Sequence, residues 1–383
     1  MLAATFILAL MNGNSLTSAL PFKPITRSRH GFDWDSTRNL IAFGDSYTFI
    51  QGTHGYPNYS FIGDQLNYAY DARTLLTDKI VQNQTGTSAG GPNWVEFLTG
   101  CGLKEGLTSP ISCTKQLWDF AFAGAGVSAE HIPLHHPYTI SLVNQIRQFT
   151  IYGHLVLTSS SQHPSHKATL SAAPILDPAS TLTAIWIGIN DINDSAKNSS
   201  ISSFPDFYNT LLQTAFSGLQ TLVSLGYKDF VDFVVLNLPP LDRTPANQAR
   251  TLRNETAAPD ATQVGWFNSA ITSQARRFGR RNPDTNVLVF DAHRVLSHVL
   301  DFPDQYGIVN TTDFCPGYDQ PDIETEYQAY GCPTSLGTYF WFNSGHITSR
   351  LHEILAAQLS KTLERWRVCE SSDYNIIQCQ SLE

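Results

Sequence analysis

The chain has 383 residues, of which 15% are charged and 42% hydrophobic, and its formal net charge is −9. This length is ample for a large α/β domain with an extensive core. The negative charge argues against a nucleic-acid partner and against an anionic membrane surface, because both present phosphates that attract basic proteins. The low charge density is typical of a soluble extracellular protein.

The N-terminal segment has features of a secretory signal. Residues 2–11 are apolar but too few to span a bilayer, and a small-residue site follows at residues 17–19 (Thr-Ser-Ala), although no lysine or arginine precedes the apolar stretch. We expect a signal peptide over residues 1–19 and a secreted, monomeric protein with one domain over residues 20–383. No other segment is long and apolar enough to predict an integral membrane helix.

Four apolar runs rich in β-branched or aromatic residues predict strands, and three segments with apolar residues at a spacing near 3.6 predict helices. Strands joined by helices of this length indicate a parallel sheet covered on both faces. Residues 52–102, rich in Gly, Asn, Tyr and Thr, are predicted to form long loops over the sheet. In chain order, the predicted strands are Leu40–Phe43, Leu182–Ile187, Phe230–Leu236 and Val287–Phe290, and the predicted helices are Asp206–Leu225, Thr262–Phe278 and Ile347–Trp366.

The six cysteines form three local pairs, and six allow 15 disulfide connectivities. Metal binding is the alternative, but the chain has no C-x-x-C motif, so we predict disulfides between nearest neighbours, the last of which pins an irregular C-terminal tail. The predicted pairs are Cys101 with Cys113, Cys315 with Cys332, and Cys369 with Cys379. Glycosylation sequons, typical of surface loops in secreted proteins, begin at Asn58, Asn83, Asn193, Asn198, Asn254 and Asn310.

A candidate nucleophile follows the first predicted strand. Residues 44–47 (Gly-Asp-Ser-Tyr) form a tight turn that presents the Ser46 hydroxyl. Active sites of open α/β sheets lie at the carboxyl ends of the strands. A serine there needs a base and an oxyanion site to act as a nucleophile. In isolation the tetrapeptide is also a common turn.

Ser88 is an alternative nucleophile, because residues 86–90 (Gly-Thr-Ser-Ala-Gly) match the G-x-S-x-G sequence pattern of a nucleophile elbow. That motif requires a buried strand before it and a helix after it. Polar residues precede this segment and Gly91-Pro92 follows, so it is interpreted as a flexible loop.

Two further strand ends carry groups suited to an oxyanion site. Asn190 follows the second predicted strand, and its amide can donate a hydrogen bond to an oxyanion. Gly124 ends an apolar run at residues 119–126, and its N–H is a second possible donor. Taken alone, these motifs also fit an Asx turn and a packing glycine. Residues 191–194 lack the glycine and glutamate of an EF-hand, so we expect no metal.

The candidate base is His346, at the end of residues 341–346 (Trp-Phe-Asn-Ser-Gly-His) and directly before the third predicted helix. A histidine there is held firmly and stays accessible, although a capping histidine would fit the same position. The other histidine clusters, at residues 131–136 and 163–166, show no comparable context. We do not expect these clusters to bind a metal ion.

The order of Ser46, Gly124, Asn190 and His346 resembles the SGNH (GDSL-type) hydrolase superfamily, which is named after these four residue types. Three further segments are similar to fungal secreted acetylesterases of carbohydrate esterase family sixteen. They are residues 91–100 (GPNWVEFLTG), 238–245 (LPPLDRTP) and 334–341 (TSLGTYFW). The resemblance covers most of the chain beyond the signal segment.

The resemblance implies a three-layer α/β/α sandwich with a parallel, flavodoxin-like sheet, and ester hydrolysis through an acyl-enzyme without metal or cofactor. Ser46 would attack the ester and His346 would carry its proton. The N–H groups of Ser46 and Gly124 and the amide of Asn190 would hold the oxyanion. The expected substrates are acetylated oligosaccharides released from hemicellulose.

One position departs from the family pattern, because Asn343 stands where an aspartate usually precedes the histidine by three residues. Asparagine accepts a hydrogen bond but supplies no charge. Three arrangements stay open: a Ser–His dyad aided by a backbone carbonyl, a substitute acid from another loop, or a weakened or dead enzyme. The alternative functions are a lipase or lysophospholipase of the same superfamily, and a carbohydrate-binding protein without activity.

Overall fold

The computed structural model describes residues 22–26, 32–63, 70–158, 176–196, 198–225, 232–253, 255 and 258–368. The predicted signal peptide over residues 1–19, the Cys369–Cys379 pair and the sequon at Asn254 lie outside these ranges.

A six-stranded sheet forms the centre of the fold, in the order β1-β8-β7-β6-β2-β5. Five strands are parallel, and β1 pairs with β8 in the antiparallel direction at one edge. The parallel strands alone follow the order 2-1-3-4-5 of a flavodoxin-like sheet, as the resemblance implied. The strands of this sheet are β1 (Phe22–Thr26), β2 (Asn39–Gly44), β5 (Gln116–Asp119), β6 (Thr181–Trp186), β7 (Asp232–Leu236) and β8 (Asn286–Phe290).

Two small two-stranded sheets lie apart from the central one, formed by β3 (Ile80–Gln82) with β4 (Gly106–Thr108) and by β9 (Asn310–Phe314) with β10 (Tyr339–Trp341). The helices are α1 (Trp94–Thr99), α2 (Leu142–Gln148), α3 (His154–Thr158), α4 (Ile189–Ser195), α5 (Phe204–Val223), α6 (Pro245–Leu252), α7 (Ala261–Arg281), α8 (Ala292–Asp301), α9 (Ile323–Glu326) and α10 (Ser349–Val368). A π-helical turn, Phe149–Gly153, joins α2 to α3.

Helices cover both faces of the central sheet. Helices α2, α5 and α7 pack together on one face, and α1, α8 and α10 pack together on the other. Every residue of β2, β6, β7 and β8 is buried, which explains why these strands have continuous apolar stretches rather than alternating patterns. The predicted three-layer α/β fold is therefore confirmed.

The four predicted strands and three predicted helices match observed elements to within a few residues. The third predicted helix begins two residues later than expected, at Ser349, because Ile347 forms a β-bridge with Trp341 instead. The prediction of long loops over residues 52–102 holds for much of the segment but missed its short elements. This segment contains β3 and helix α1, which starts at a capping box in which Asn93 and Glu96 satisfy each other's backbone N–H groups.

Two of the predicted disulfides are present, Cys101–Cys113 and Cys315–Cys332. Among the described sequons, three asparagines are exposed and two are half-buried. The exposed ones are Asn58, Asn83 and Asn198, and the half-buried ones are Asn193 and Asn310. Within the described ranges, no helix is both long and apolar enough to cross a membrane.

Candidate active site

Ser46 lies at the switch point of the sheet, where the strand order reverses. It follows β2, which has β5 on one side and β6 on the other. Gly44 pairs with Trp186 at the end of β6, and the Phe122 N–H beyond β5 donates to Gly44 O at 3.2 Å. The residues that follow these three strands therefore meet at one edge, where open α/β sheets form their clefts.

The turn that carries Ser46 depends on close backbone packing at Gly44. A Cβ atom on Gly44 would lie 2.4 Å from the Trp186 carbonyl oxygen, so no larger residue fits without displacing β6. The buried Gln145 side chain accepts from the Gly44 N–H at 3.0 Å and donates to its carbonyl at 2.8 Å. These contacts hold the end of β2 in place, and Ser46 itself stays half-buried.

Ser46 and His346 form a hydrogen-bonded pair. Their Oγ and Nε2 atoms are 2.7 Å apart, within the reach required between a nucleophile and its base. The other ring nitrogen, Nδ1, lies 2.9 Å from Oδ1 of Asn343. The three side chains are therefore arranged as in a Ser–His–acid triad, with an amide in the position of the acid.

The backbone decides which way the Asn343 amide points. Its Oδ1 also accepts from the N–H groups of Gly345 and His346, each at 3.0 Å. Because an amide nitrogen could not accept these bonds, the oxygen must face the imidazole. Nδ1 of His346 therefore carries the proton, and Nε2 is free to accept the Ser46 proton.

Burial lowers the pKa of His346 to about 4, because the site disfavours a charged imidazolium. No described carboxylate hydrogen-bonds to the ring and offsets this effect. His346 is therefore neutral near pH 7, which is the state that a general base requires.

Tyr47 braces the loop that carries the base. Its hydroxyl donates to the Gly345 carbonyl at 2.7 Å, and its ring lies against the His346 ring with the centroids 5.3 Å apart. From the other side, the Ala246 N–H at the start of α6 donates to Ser344 O at 2.9 Å. Tyr47 carried no functional signal in the sequence, because its partner lies 298 residues away.

Gly124 and Asn190 lie at the same edge as Ser46. Gly124 has a φ of +79°, and Asn190 is the second residue of α4. The Asn190 amide nitrogen donates one hydrogen to Ala125 O at 2.9 Å, which leaves its second hydrogen for a ligand. Within the described ranges, the backbone N–H groups of Ser46 and Gly124 have no acceptor. The edge thus offers three donors to a developing oxyanion.

Two buried carboxyl groups, which were not candidates from the sequence, are the chain neighbours of Ser46 and Asn190. Burial raises the pKa values of Asp45 and Asp191 to about 7. A neighbouring carboxylate raises each value further, and His135 lowers it. The Tyr47 N–H donates to Asp45 at 3.0 Å, and the Val127 N–H donates to Asp191 at 2.9 Å. These carboxyls order the turns on which the site is built.

The remaining sequence candidates are Ser88 and the two histidine clusters, of which residues 163–166 lie outside the described ranges. Ser88 is in a loop with no helix directly after it, in agreement with its interpretation, and the next residue, Ala89, accepts from the Ser349 N–H at 2.9 Å. Of the histidines at residues 131–136, one does approach the site, because His135 lies against Gly124. Among the described residues, no group of three or more His, Cys, Asp or Glu side chains could hold a metal ion.

A hydroxyl beside a neutral imidazole, with unused N–H donors at a flavodoxin-like switch point, is an arrangement suited to a hydrolase. Comparison with known proteins agrees with this class. The profile of the family "GDSL-like Lipase/Acylhydrolase" matches residues 40–359. The chain therefore belongs to the GDSL-like lipase/acylhydrolase family and is a carboxylic ester hydrolase.

The chain is also similar to a curated acetylesterase from Thermothelomyces thermophilus. The two are 28% identical over 322 residues, which cover 84% of this chain and 86% of that protein. Among solved structures, a carbohydrate acetylesterase from Sinorhizobium meliloti aligns over 86% of this chain and 99% of its own, with 11% identity and a TM-score of 0.38.

Proposed function

We propose that the protein is a secreted serine esterase that removes acetyl groups from carbohydrates, such as oligosaccharides derived from hemicellulose, through an acyl-enzyme. The 2.7 Å contact between Ser46 Oγ and His346 Nε2 is the observation that carries the proposal. The similarity to a fungal acetylesterase supports the choice of acetyl as the acyl group.

In the first half of the reaction, Ser46 Oγ attacks the ester carbonyl while its proton moves to His346 Nε2. The carbonyl oxygen becomes an oxyanion, which accepts from the N–H groups of Ser46 and Gly124 and from the Asn190 amide. As the tetrahedral intermediate collapses, His346 returns the proton to the leaving sugar oxygen. The acetyl group then remains on Ser46.

In the second half, water takes the place of the sugar hydroxyl. His346 removes a proton from the water as its oxygen attacks the acetyl carbonyl, and the same donors hold the second oxyanion. Collapse releases acetate and returns the proton to Ser46 Oγ. The net reaction consumes one ester and one water and leaves no group on the protein.

The Asn343 geometry supports an active enzyme over a silent carbohydrate-binding protein. In chymotrypsin-type serine proteases, replacing the triad aspartate by asparagine costs about ten-thousandfold because it stabilises the wrong histidine tautomer. Here the Gly345 and His346 N–H groups hold the amide oxygen toward Nδ1, so the tautomer is the productive one. The missing contribution is therefore the negative charge alone.

The first test is hydrolysis of 4-nitrophenyl acetate by the wild type and by Ser46→Ala. We expect the wild type to release acetate and the variant to lose activity by a factor of about 10³ or more. An organophosphonate should label the wild type at Ser46. A variant as active as the wild type, or a wild type that neither turns over nor becomes labelled, would contradict a serine esterase.

The acyl preference has its own test. Rates on 4-nitrophenyl acetate, butyrate and octanoate should fall steadily as the acyl chain lengthens, because an acetyl pocket is shallow. Equal or faster hydrolysis of the octanoate would favour a lipase instead. Release of acetate from acetylated xylo-oligosaccharides, measured beside a simple alkyl acetate, tests the carbohydrate preference.

Secretion is supported by the apolar segment at residues 2–11 and by the disulfides Cys101–Cys113 and Cys315–Cys332, which form in oxidising compartments. N-terminal sequencing of protein recovered from the culture medium should begin at Leu20. Retention of the full chain inside the cell would contradict this part of the proposal.

A further inference from the structure

His135 lies outside the Ser–His pair, yet it contacts the loop that carries a proposed oxyanion donor. A Cβ atom placed on Gly124 would lie 3.3 Å from Nδ1 of His135 and 3.6 Å from its Cβ, and the three nearest atoms would all belong to this histidine. The imidazole therefore packs directly against the Gly124 backbone. This backbone is held at a φ of +79°, a left-handed conformation that non-glycine residues adopt only with strain.

The second ring nitrogen of His135 anchors the imidazole to α4. Its Nε2 lies 2.6 Å from Oδ2 of Asp194, and this carboxylate is one helical turn beyond Asn190. The His135–Asp194 pair therefore joins the loop that carries Gly124 to the helix that carries the other proposed donor.

Two other links join the same loop to α4, but both act beyond Gly124 in the chain. The Asn190 amide donates to Ala125 O, and Asp191 accepts from the Val127 N–H. Neither contact touches Gly124 itself. Lateral support for the Gly124 peptide thus comes from His135.

The charges around His135 give this contact a second consequence. Three carboxyl groups lie near the imidazole. Asp194 contacts it directly, and the charge of the imidazole lowers the pKa values of Asp45 and Asp191. Negative charge so close to an oxyanion site would oppose the transition state. When His135 carries a proton, it reduces that repulsion, because it contacts both Gly124 and Asp194.

We propose that His135, held by Asp194, is a positioning residue that fixes the Gly124 N–H relative to Asn190 and thereby sets the strength of the oxyanion site. This inference rests on the proposed function, specifically on the roles of Gly124 and Asn190. An ordinary surface ion pair would behave differently. Such a pair contributes about 0.2–1 kcal/mol to folding and leaves the chemical step unchanged.

The test compares His135→Ala with His136→Ala in steady-state hydrolysis of 4-nitrophenyl acetate. His136 is a matched control because it is the next residue of the same loop, is exposed like His135, and stacks on Tyr138 instead. We expect His135→Ala to lower kcat by about tenfold to a hundredfold, since a misplacement of about 1 Å costs up to a hundredfold. KM should change by less than about twofold, and His136→Ala should retain kcat within about twofold.

Two further variants separate positioning from folding. His135→Gln keeps a donor within reach of Asp194, so it should recover most of the kcat lost in the alanine variant. Asp194→Ala by itself should also lower kcat. The double variant with His135→Ala should lose little more kcat than either single variant, because the two residues act as one unit. Melting temperatures of all variants show whether a loss of rate reflects unfolding.

His135→Ala with kcat within about twofold of the wild type would overturn the inference, as would equal losses in His135→Ala and His136→Ala. An additive double variant would also contradict it, because additivity indicates independent residues. Failure of the esterase proposal is distinguishable. It would appear as an inert wild type or an active Ser46→Ala variant, and it would remove the basis of this inference as well.

Discussion

Replacing Asn343 by aspartate changes only the charge of the group that faces His346. The amide oxygen already lies 2.9 Å from Nδ1 and accepts two backbone N–H groups, so a carboxylate can take the same position with the same bonds. Asn343→Asp is therefore a test of charge at constant geometry.

The magnitude follows from the pKa of His346, which burial lowers to about 4. An opposite charge in hydrogen-bond contact shifts a pKa by about 1–3 units, and each unit is worth about 1.4 kcal/mol. In Asn343→Asp the pKa of His346 should therefore rise to between about 5 and 7. Because the imidazole becomes charged in the transition state, the same interaction should raise kcat by about tenfold or more.

The assay is the pH dependence of kcat/KM for 4-nitrophenyl acetate between pH 3.5 and pH 8, which reports the pKa values of the free enzyme. The wild type should keep its activity down to about pH 5 and lose it around the pKa of His346, about 4. The variant should lose activity at a pH at least one unit higher. Recovery of activity after return to pH 7 distinguishes protonation from unfolding.

Ser344→Asp is the matched control, because Ser344 is exposed in the same loop and does not hydrogen-bond to the His346 ring. It adds the same charge without contact to Nδ1. It should shift the acidic limb of the kcat/KM profile, where activity is lost at low pH, by less than half a pH unit. An Asn343→Asp variant with an unchanged acidic limb and unchanged kcat would refute the reasoning. That outcome would mean that another group already stabilises the charged imidazole.

Three more predictions concern the support of the site. Tyr47→Phe removes the hydrogen bond to Gly345 O, so kcat should fall by about threefold to tenfold at constant KM; an unchanged kcat would show that ring packing alone holds the loop. Gly124→Ala forces a side chain onto a φ of +79°, so kcat should fall by about a hundredfold while binding of a substrate analogue persists; unchanged kinetics would remove Gly124 from the oxyanion site. Burial raises the pKa values of Asp45 and Asp191 from the ordinary 3.8 to about 7, so the folded state binds more protons than the unfolded chain and loses stability as the pH rises through 7. Between pH 8.5 and pH 7, the two groups together should add roughly 1 kcal/mol to the free energy of unfolding as the pH falls, and replacing both by asparagine should flatten the urea-measured slope.

Local patterns were sufficient for the elements that depend on local physics. The continuous apolar runs at Leu182–Ile187 and Val287–Phe290 became β6 and β8, because strands buried on both faces need no polar alternation. The amphipathic pattern of Thr262–Phe278 became the middle of α7. The nearest cysteines paired because short loops bring them together at little entropic cost.

The errors arose where the local signal was short or the partner was distant. Helix α1 has only six residues, and its capping box stands among glycines and asparagines that are typical of loops. Strand β1 joins the edge of the sheet beside β8, a pairing that spans most of the chain and leaves no periodic pattern in the sequence. His135 was passed over because its contact with Gly124 is made in the fold and not along the chain.

The sequence by itself determined the class of fold and the residue types available for catalysis, because strand and helix patterns are local and the four family residues follow or precede them in a recognisable order. Only the tertiary structure brought His346 to Ser46 across 300 residues and turned the oxygen of Asn343 toward the imidazole. Those two facts depend on the order of strands at the switch point and on backbone N–H groups that the loop presents after folding. Long-range packing sets the first. The second is made by N–H groups two and three residues after Asn343, in a loop that Tyr47 and Ala246 hold from distant parts of the chain.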